Sequence, residues 1–197
     1  MQNHKNGIQV LGINGSPRQN GNSRYLMSCF MEEMKTLGHD TQVLDAVKLK
    51  INPCIGCGNC ETKGVCIFKD DFTNIFLPAV IKADILVISS PIYFYAFPAA
   101  LKALIDRIQV LWSRKYRLKM DDFKDHNRKG VLLAVGATRG KDLFDGLKLT
   151  ARYFFDAADI QYKADLCYRG IDEKGQMEKH PTIHEDIKNL VQKIVKA

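Results

Sequence analysis

A polar loop near the start of the chain reads Gly12-Ile13-Asn14-Gly15-Ser16-Pro17-Arg18-Gln19-Asn20-Gly21-Asn22-Ser23. The residues just upstream, 8–13, form a mostly apolar run of strand length. Downstream, the apolar residues between Ser23 and Leu37 recur at helical spacing. The loop is therefore predicted to join the end of a first strand to the beginning of a first helix.

This loop has the composition of an anion site. The first turn of a helix attracts anions because its backbone N–H groups lack partners and carry the positive end of the dipole. Two glycines allow close backbone approach, and Asn22 or Ser23 could cap the helix. The sequence of this loop matches neither the P-loop nor the dinucleotide-binding fingerprint. Its largely uncharged hydrogen-bonding groups suit a terminal monophosphate. The alternative is an ordinary strand-to-helix turn without a ligand. The candidate phosphate contacts are Ser16, Arg18, Asn20, Asn22 and Ser23.

Other motifs follow along the chain, and together they carry a family resemblance. They are Pro53-Cys54-Ile55-Gly56-Cys57-Gly58-Asn59-Cys60, Asp70-Asp71, Ser90-Pro91-Ile92-Tyr93 and Leu101-Lys102-x-x-Ile105-Asp106-Arg107. With G-S-P-R-x-N-G-N-S, they resemble the flavodoxin-like NAD(P)H-dependent FMN reductases, and the cysteines make the chain most similar to the iron-sulfur flavoprotein branch. The resemblance implies FMN and NAD(P)H as cofactors, an unidentified electron acceptor, and assembly as a homodimer or homotetramer.

Length and composition indicate one globular domain over residues 1–197. The apolar content is 46%, and no apolar run is long enough to cross a bilayer, so we expect a cytoplasmic protein without a membrane partner. The net charge of +7 favours acidic or phosphorylated partners. The basic residues are scattered, so no nucleic-acid partner is predicted. The exception, residues 114–119, is either a solvated face or an aid in attracting a phosphorylated nicotinamide cofactor.

Predicted strands and helices alternate, which indicates a parallel sheet covered on both faces. We predict a flavodoxin-like, doubly wound five-stranded sheet of order 2-1-3-4-5, with the ligand at the carboxyl ends of the strands. Residues 46–72 form a cysteine-rich insertion after strand 2, and residues 111–129 are expected to be irregular or a broken helix. The predicted strands are 8–13, 41–44, 84–90, 130–135 and 161–167; the predicted helices are 23–37, 70–82 with a break at Pro78, 98–109, 142–158 and 184–195.

Three loops should meet at the carboxyl edge of this sheet: 14–23, 89–97 and 136–140. The first can take a phosphate. The second offers a rigid turn and apolar surface for a flavin ring, and the third offers glycines for close backbone approach and a polar side chain. The FMN contacts predicted from the second and third loops are Pro91, Ile92, Tyr93, Phe94, Gly136, Ala137, Thr138 and Gly140.

Four cysteines are compactly spaced as Cys54-x2-Cys57-x2-Cys60-x5-Cys66. Four thiolates are the usual ligands of a [4Fe-4S] cluster, and short C-x2-C-x2-C runs are typical of such sites. An all-cysteine zinc site and free thiols without metal are the alternatives. The other two cysteines, Cys29 and Cys167, are predicted to be small buried apolar residues.

The sequence thus predicts an FMN-dependent oxidoreductase that takes electrons from NAD(P)H or a redox partner, with the cluster, if present, as a one-electron relay. The chemistry would belong to the flavin, so no catalytic side chain is predicted. The alternatives are a flavodoxin-type electron carrier, a cluster-free NAD(P)H:FMN or quinone reductase, and a flavinless zinc module. Asp106 and Arg107 are either a buried pair or a solvated helix end.

Overall fold

A computed structural model describes residues 7–123 and 127–196. The chain forms a five-stranded, all-parallel sheet of order β2-β1-β3-β4-β5, which confirms the predicted flavodoxin-like fold. Residues 1–6, 124–126 and 197 of the predicted domain lie outside the described residues. The strands are β1 Gln9–Asn14, β2 Asp40–Asp45, β3 Ile85–Pro91, β4 Lys129–Gly136 and β5 Gln161–Arg169.

The three central strands are buried on both faces because their apolar runs send alternate residues to opposite sides. In β3, for example, Leu86 and Ile88 belong to one core cluster, and Ile85 and Val87 belong to the other. All four are at most 1% exposed. The apolar residues of a central strand therefore contribute side chains to both core clusters, one on each face of the sheet.

Helices cover both faces of the sheet. Two long helices pack against one face, and the remaining helices pack against the other or flank the cysteine segment. Within the described residues, no helix is long and apolar enough to span a membrane. The helices are α1 Asn22–Thr36, α2 Asn59–Lys63, α3 Leu77–Lys82, α4 Ala99–Arg107, α5 Gln109–Trp112, α6 Asp145–Ala157 and α7 Ile183–Lys196, with α1 and α7 sharing a face; a short 3-10 turn spans Ala46–Lys48.

Two π-helical turns explain where the helix predictions differ from the structure. The predicted 70–82 helix consists of a π-helical turn, Phe72–Phe76, followed by α3, with Pro78 in the first turn of α3 where it needs no N–H partner. Of the segment 111–129, predicted to be irregular or a broken helix, residues 111–117 are helical, through the end of α5 and a second π-helical turn, Ser113–Arg117, which agrees with a broken helix. Burial of Leu111, which is 1% exposed, favours the helix despite the charged residues that follow.

Candidate functional site

A cavity of about 490 Å³ opens at the carboxyl edge of the sheet, in the volume range of small-molecule sites. The first two predicted loops supply most of its wall, and the third supplies one of its predicted residues. The lining residues are Ser16, Arg18, Gln19, Asn20, Gly21, Asn22, Ser23, Pro91, Ile92, Tyr93, Val135, Ala137, Ile171, Asp172 and Lys174.

Four of the predicted contacts lie outside this wall. Phe94 is fully exposed, and Gly136 is packed so closely that a Cβ there would lie 2.6 Å from Leu143. The Thr138 carbonyl accepts a hydrogen bond from the backbone of the β5–α7 connection, and a Cβ on Gly140 would lie 3.6 Å from the Tyr95 hydroxyl. Of the contacts predicted from the 136–140 loop, only Ala137 therefore lies in the wall of this cavity.

The phosphate-loop candidate is held in place by its own hydrogen bonds. The backbone N–H of Ser16 donates to Asn14 Oδ1 (3.3 Å), and the N–H of Arg18 donates to Ser16 Oγ (3.2 Å). The N–H of Gly15 reaches the carbonyl of Ser89 on β3 (2.8 Å). These bonds fix the loop to the sheet before any ligand binds, which lowers the entropic cost of binding.

The beginning of α1 has no side-chain cap. Its N-cap is Gly21, and among the described residues no side-chain capping hydrogen bond is present. The predicted capping by Asn22 or Ser23 is wrong because the Asn22 amide is engaged elsewhere: Nδ2 donates to the Glu173 carbonyl (2.8 Å), and Oδ1 accepts from the Met177 N–H (3.1 Å). The first-turn N–H groups are left for a ligand.

The Ser23 side chain points to the same conclusion. It is 1% exposed, and its Oγ has no hydrogen-bond partner among the described residues. A buried hydroxyl without a partner costs free energy, so its position on the cavity wall requires an explanation. An anionic ligand at the beginning of α1 would supply the missing acceptor.

A fourth wall of the cavity was not predicted. Ile171, Asp172 and Lys174 come from the connection between β5 and α7, which the Asn22 amide ties to α1. Lys174 adds a second cation beside Arg18. The rule that ligands gather at the carboxyl ends of parallel strands applies to β5 as well, and could have pointed to this connection.

Asp45, at the end of β2, stabilises the phosphate-loop candidate through Asn14. It accepts hydrogen bonds from the Asn14 amide (2.9 Å) and forms ion pairs with Arg24 (2.7 Å) and Lys48 (3.0 Å). Burial raises the pKa of Asp45, but these three partners outweigh burial and hold the pKa below its usual value. The carboxylate therefore stays charged and keeps Asn14 oriented toward Ser16.

The second loop carries backbone strain beside the cavity. Phe94 and Tyr95 adopt left-handed φ angles of 50° and 60°, which are costly for residues with side chains. Paired backbone bonds of 3.0 Å between Tyr93 and Ala96 close the turn. The Tyr95 carbonyl also packs against Gly146 at the beginning of α6, where a Cβ would lie 2.3 Å away. These contacts hold the strained turn in place.

The four clustered cysteines line a second, smaller cavity of about 70 Å³. All four are free thiols; Cys54 and Cys57 are exposed, and Cys60 and Cys66 are half-buried. Among residues 7–123 and 127–196, no three Cys, His, Asp or Glu side chains converge closely enough to hold a single metal ion. The thiols instead surround a common space.

Two polar side chains contact these thiols. Arg107 Nη2 donates to Cys66 Sγ (3.2 Å), and the Ser113 hydroxyl lies 3.6 Å from Cys60 Sγ. Neither alternative predicted for Asp106 and Arg107 is right. Arg107 is buried and pairs with Asp70 (2.5 Å), whereas Asp106 is exposed and pairs with Lys102.

The basic residues 114–119 are not a free cationic face. Arg114 donates to the Gly64 carbonyl (2.6 Å) and pairs with Asp122, and Arg117 pairs with Glu61 of α2 (2.6 Å). Ion pairing reduces the charge available to attract a phosphorylated cofactor. It also fastens the cysteine segment to the second π-helical turn.

The two remaining cysteines are half-buried rather than fully buried. Burial, reinforced by the nearby Asp165 carboxylate, raises the pKa of Cys167 to about 12. Burial also raises the pKa of Cys29. Both thiols are therefore neutral at physiological pH, which agrees with the predicted packing role more than with a redox role.

Comparisons with known proteins give the same family as the motifs. The family model for NADPH-dependent FMN reductases matches residues 8–144. An iron-sulfur flavoprotein of Methanocaldococcus jannaschii is 36% identical over 132 residues, which are 67% of this chain and 64% of that protein. One from Methanosarcina thermophila is 31% identical over 67% of this chain and 65% of its own length. The match thus spans less than two thirds of either relative.

A solved structure agrees with the fold. The NAD(P)H:quinone oxidoreductase of Methanothermobacter marburgensis superposes with a TM-score of 0.66 and 18% identity, covering 93% of this chain and 99% of that one. At this identity the likeness concerns the fold alone. Fold, cavity and family motifs therefore point to the same group of proteins.

Proposed function

Because this chain belongs to the NADPH-dependent FMN reductase family, we propose that it is an FMN-dependent oxidoreductase that takes electrons from NAD(P)H or from a redox partner. The observation that carries this proposal is the beginning of α1, where the described residues supply neither a side-chain cap nor a partner for the Ser23 hydroxyl, which lies in the wall of a ligand-sized cavity. Bound FMN would supply the electron-transfer chemistry. We assign no side chain the role of nucleophile or general base.

The protein's part is to bind and orient. Ser16, Arg18, Asn20 and Ser23, with the N–H groups of the first turn of α1, would hold the phosphate. Residues 91–93 and Ala137 would line the ring and exclude water from one side of it. The contacts predicted for Phe94, Gly136, Thr138 and Gly140 remain predictions, and Asn22 would act through its backbone N–H.

We also propose that Cys54, Cys57, Cys60 and Cys66 bind a [4Fe-4S] cluster that relays single electrons to an acceptor. Two observations support this proposal: all four thiols line one cavity, and the curated relatives are named iron-sulfur flavoproteins. A cuboidal cluster takes one thiolate on each of four iron atoms, so its ligands surround the group rather than converge on a point.

Location and assembly follow as further parts of the proposal. Six free thiols suit a reducing compartment, which supports a cytoplasmic protein. The neighbouring side chains of Tyr93, Phe94 and Tyr95 are all exposed, which supports a homodimer or homotetramer in which a second copy covers this loop.

The test is anaerobic reduction of the purified protein after loading with FMN. Loss of the yellow flavin absorbance on addition of NADH or NADPH would support the oxidoreductase. Flavin that dithionite reduces but neither nicotinamide reduces would favour the carrier. Ser16→Glu, which places a carboxylate against the phosphate, should remove FMN while the circular dichroism spectrum is unchanged. Undiminished flavin content in Ser16→Glu would show that this loop does not hold the phosphate.

A further inference from the structure

Arg107, the last residue of α4, joins the two ends of the cysteine segment. It is 2% exposed. Its Nη1 donates to the Asn52 carbonyl (3.0 Å), just before the first cysteine, and to Asp70 Oδ2 (2.5 Å), just after the last. Its Nη2 donates to Cys66 Sγ (3.2 Å). The Arg107 guanidinium therefore connects the residues on the two sides of the cysteine segment and also contacts one of its thiols.

The guanidinium is fixed in orientation. It stacks over Phe72 (4.3 Å from the ring centroid) and lies 5.2 Å from the centroid of Phe68. Stacking and two hydrogen bonds hold the plane, so the direction in which Nη2 donates is set by the fold. Its Nε is buried and has no hydrogen-bond partner among the described residues. Arg107 also lines the cysteine cavity.

The other arginines at this site act differently. Arg114 and Arg117 reach the cysteine segment through the Gly64 carbonyl and the Glu61 carboxylate, not through sulfur. Arg117 has a side chain that is 52% exposed, so solvent screens its charge. Arg107 differs from both because it is buried and touches a thiol.

We propose that Arg107 is a positioning residue that holds Cys66 as a ligand and raises the reduction potential of the cluster. The proposal rests on the cluster assigned under the proposed function. A buried cation and an N–H group directed at a ligand sulfur favour the reduced cluster, because reduction adds negative charge next to them. Lysine would not replace arginine, because a single ammonium cannot donate to Asn52, Asp70 and Cys66 in the same fixed plane.

The experiment uses the full chain, reconstituted anaerobically with ferrous iron and sulfide and loaded with FMN. Iron, acid-labile sulfide and FMN per chain are measured, followed by a redox titration. We expect Arg107→Gln either to lose iron while retaining FMN, or to shift the cluster equilibrium at least tenfold toward the oxidised form, about 59 mV for a one-electron couple. The matched control is Arg152→Gln, at an exposed position of α6 outside the cysteine segment, which should change neither iron content nor potential.

A second variant distinguishes a direct effect on the cluster from misfolding caused by an unpaired buried carboxylate. Asp70→Asn/Arg107→Gln removes both charges of the buried pair, so no carboxylate is left unpaired. It should show the same iron loss, or a potential shift in the same direction that is smaller because the net charge of the pair is unchanged and only the hydrogen bond to Cys66 is lost. Full iron content and an unchanged potential in Arg107→Gln would overturn the proposal. So would loss of FMN together with iron in both variants, which would make Arg107 purely structural. A wild-type protein that binds FMN but no cluster would overturn this inference and leave the oxidoreductase assignment intact.

Discussion

Replacing Ser23 by alanine should have opposite effects on FMN binding and on the stability of the flavin-free protein. The Ser23 hydroxyl is 1% exposed and has no partner among the described residues. Without FMN it is an unsatisfied buried group, and such a group costs about 1–3 kcal/mol. With FMN bound, the hydroxyl would donate to the phosphate. The Ser23 hydroxyl would therefore destabilise the flavin-free protein and stabilise the complex with FMN.

The expected magnitudes follow from this difference. A hydrogen bond to a charged group contributes roughly 1.5–3 kcal/mol. Since about 1.4 kcal/mol corresponds to a tenfold change in Kd, Ser23→Ala should weaken FMN binding by roughly 10- to 150-fold. The free energy of unfolding of the flavin-free protein should stay unchanged or rise by about 1 kcal/mol.

The assay is a titration of flavin-free protein with FMN, followed by fluorescence quenching, together with urea unfolding of the same samples. Ser28→Ala is the matched control because Ser28 lies on the same helix, is exposed, and donates only to the Tyr25 carbonyl (2.8 Å) among the described residues. Its Kd for FMN should equal that of the wild type. An unchanged Kd in Ser23→Ala, or a destabilised flavin-free protein, would refute the reasoning.

Two other substitutions test the surroundings of the site. Gly146→Ala would place a Cβ 2.3 Å from the Tyr95 carbonyl, so the 89–97 loop must move. We expect weaker FMN binding and a loss of about 1–3 kcal/mol in the free energy of unfolding measured in urea, and unchanged values would count against the packing described. Burial alone would raise the pKa of Asp45, but its hydrogen bonds and ion pairs with Lys48 and Arg24 have the larger effect and lower the pKa. The contribution of Asp45 to the free energy of unfolding is therefore present above the unfolded pKa of ~3.9 and is lost as pH falls through the folded pKa. Asp45→Asn should therefore be less stable than the wild type at neutral pH, and the difference should vanish in acid unfolding curves; a constant difference would contradict this.

The fold could be predicted because its signals are local. Each central strand is an uninterrupted apolar run, and helices fill the intervals between strands, which leaves few sheet orders to consider. The boundaries of all five strands lie within two residues of the predicted ones. The segment after Trp112 was left between two alternatives, an irregular segment and a broken helix, because the charged residues there obscure the burial of Leu111 in the core, which favours the helix.

For the candidate site, the sequence could indicate which residues lie together only where they come from one segment. The phosphate loop and the cysteine spacing are such segments. The ion pair between Asp70 and Arg107 joins residues far apart in sequence, and the cavity wall at Lys174 depends on a hydrogen bond from Asn22 across the fold. Contacts of this kind depend on tertiary packing, which periodicity and residue type do not encode.

The most direct test compares FMN with riboflavin, which carries the same ring without the phosphate. We expect one FMN per chain and riboflavin binding at least about 100-fold weaker, since several charge-assisted hydrogen bonds proposed at the beginning of α1 would be lost together. Equal affinity for the two flavins would contradict the claim that this loop binds a phosphate.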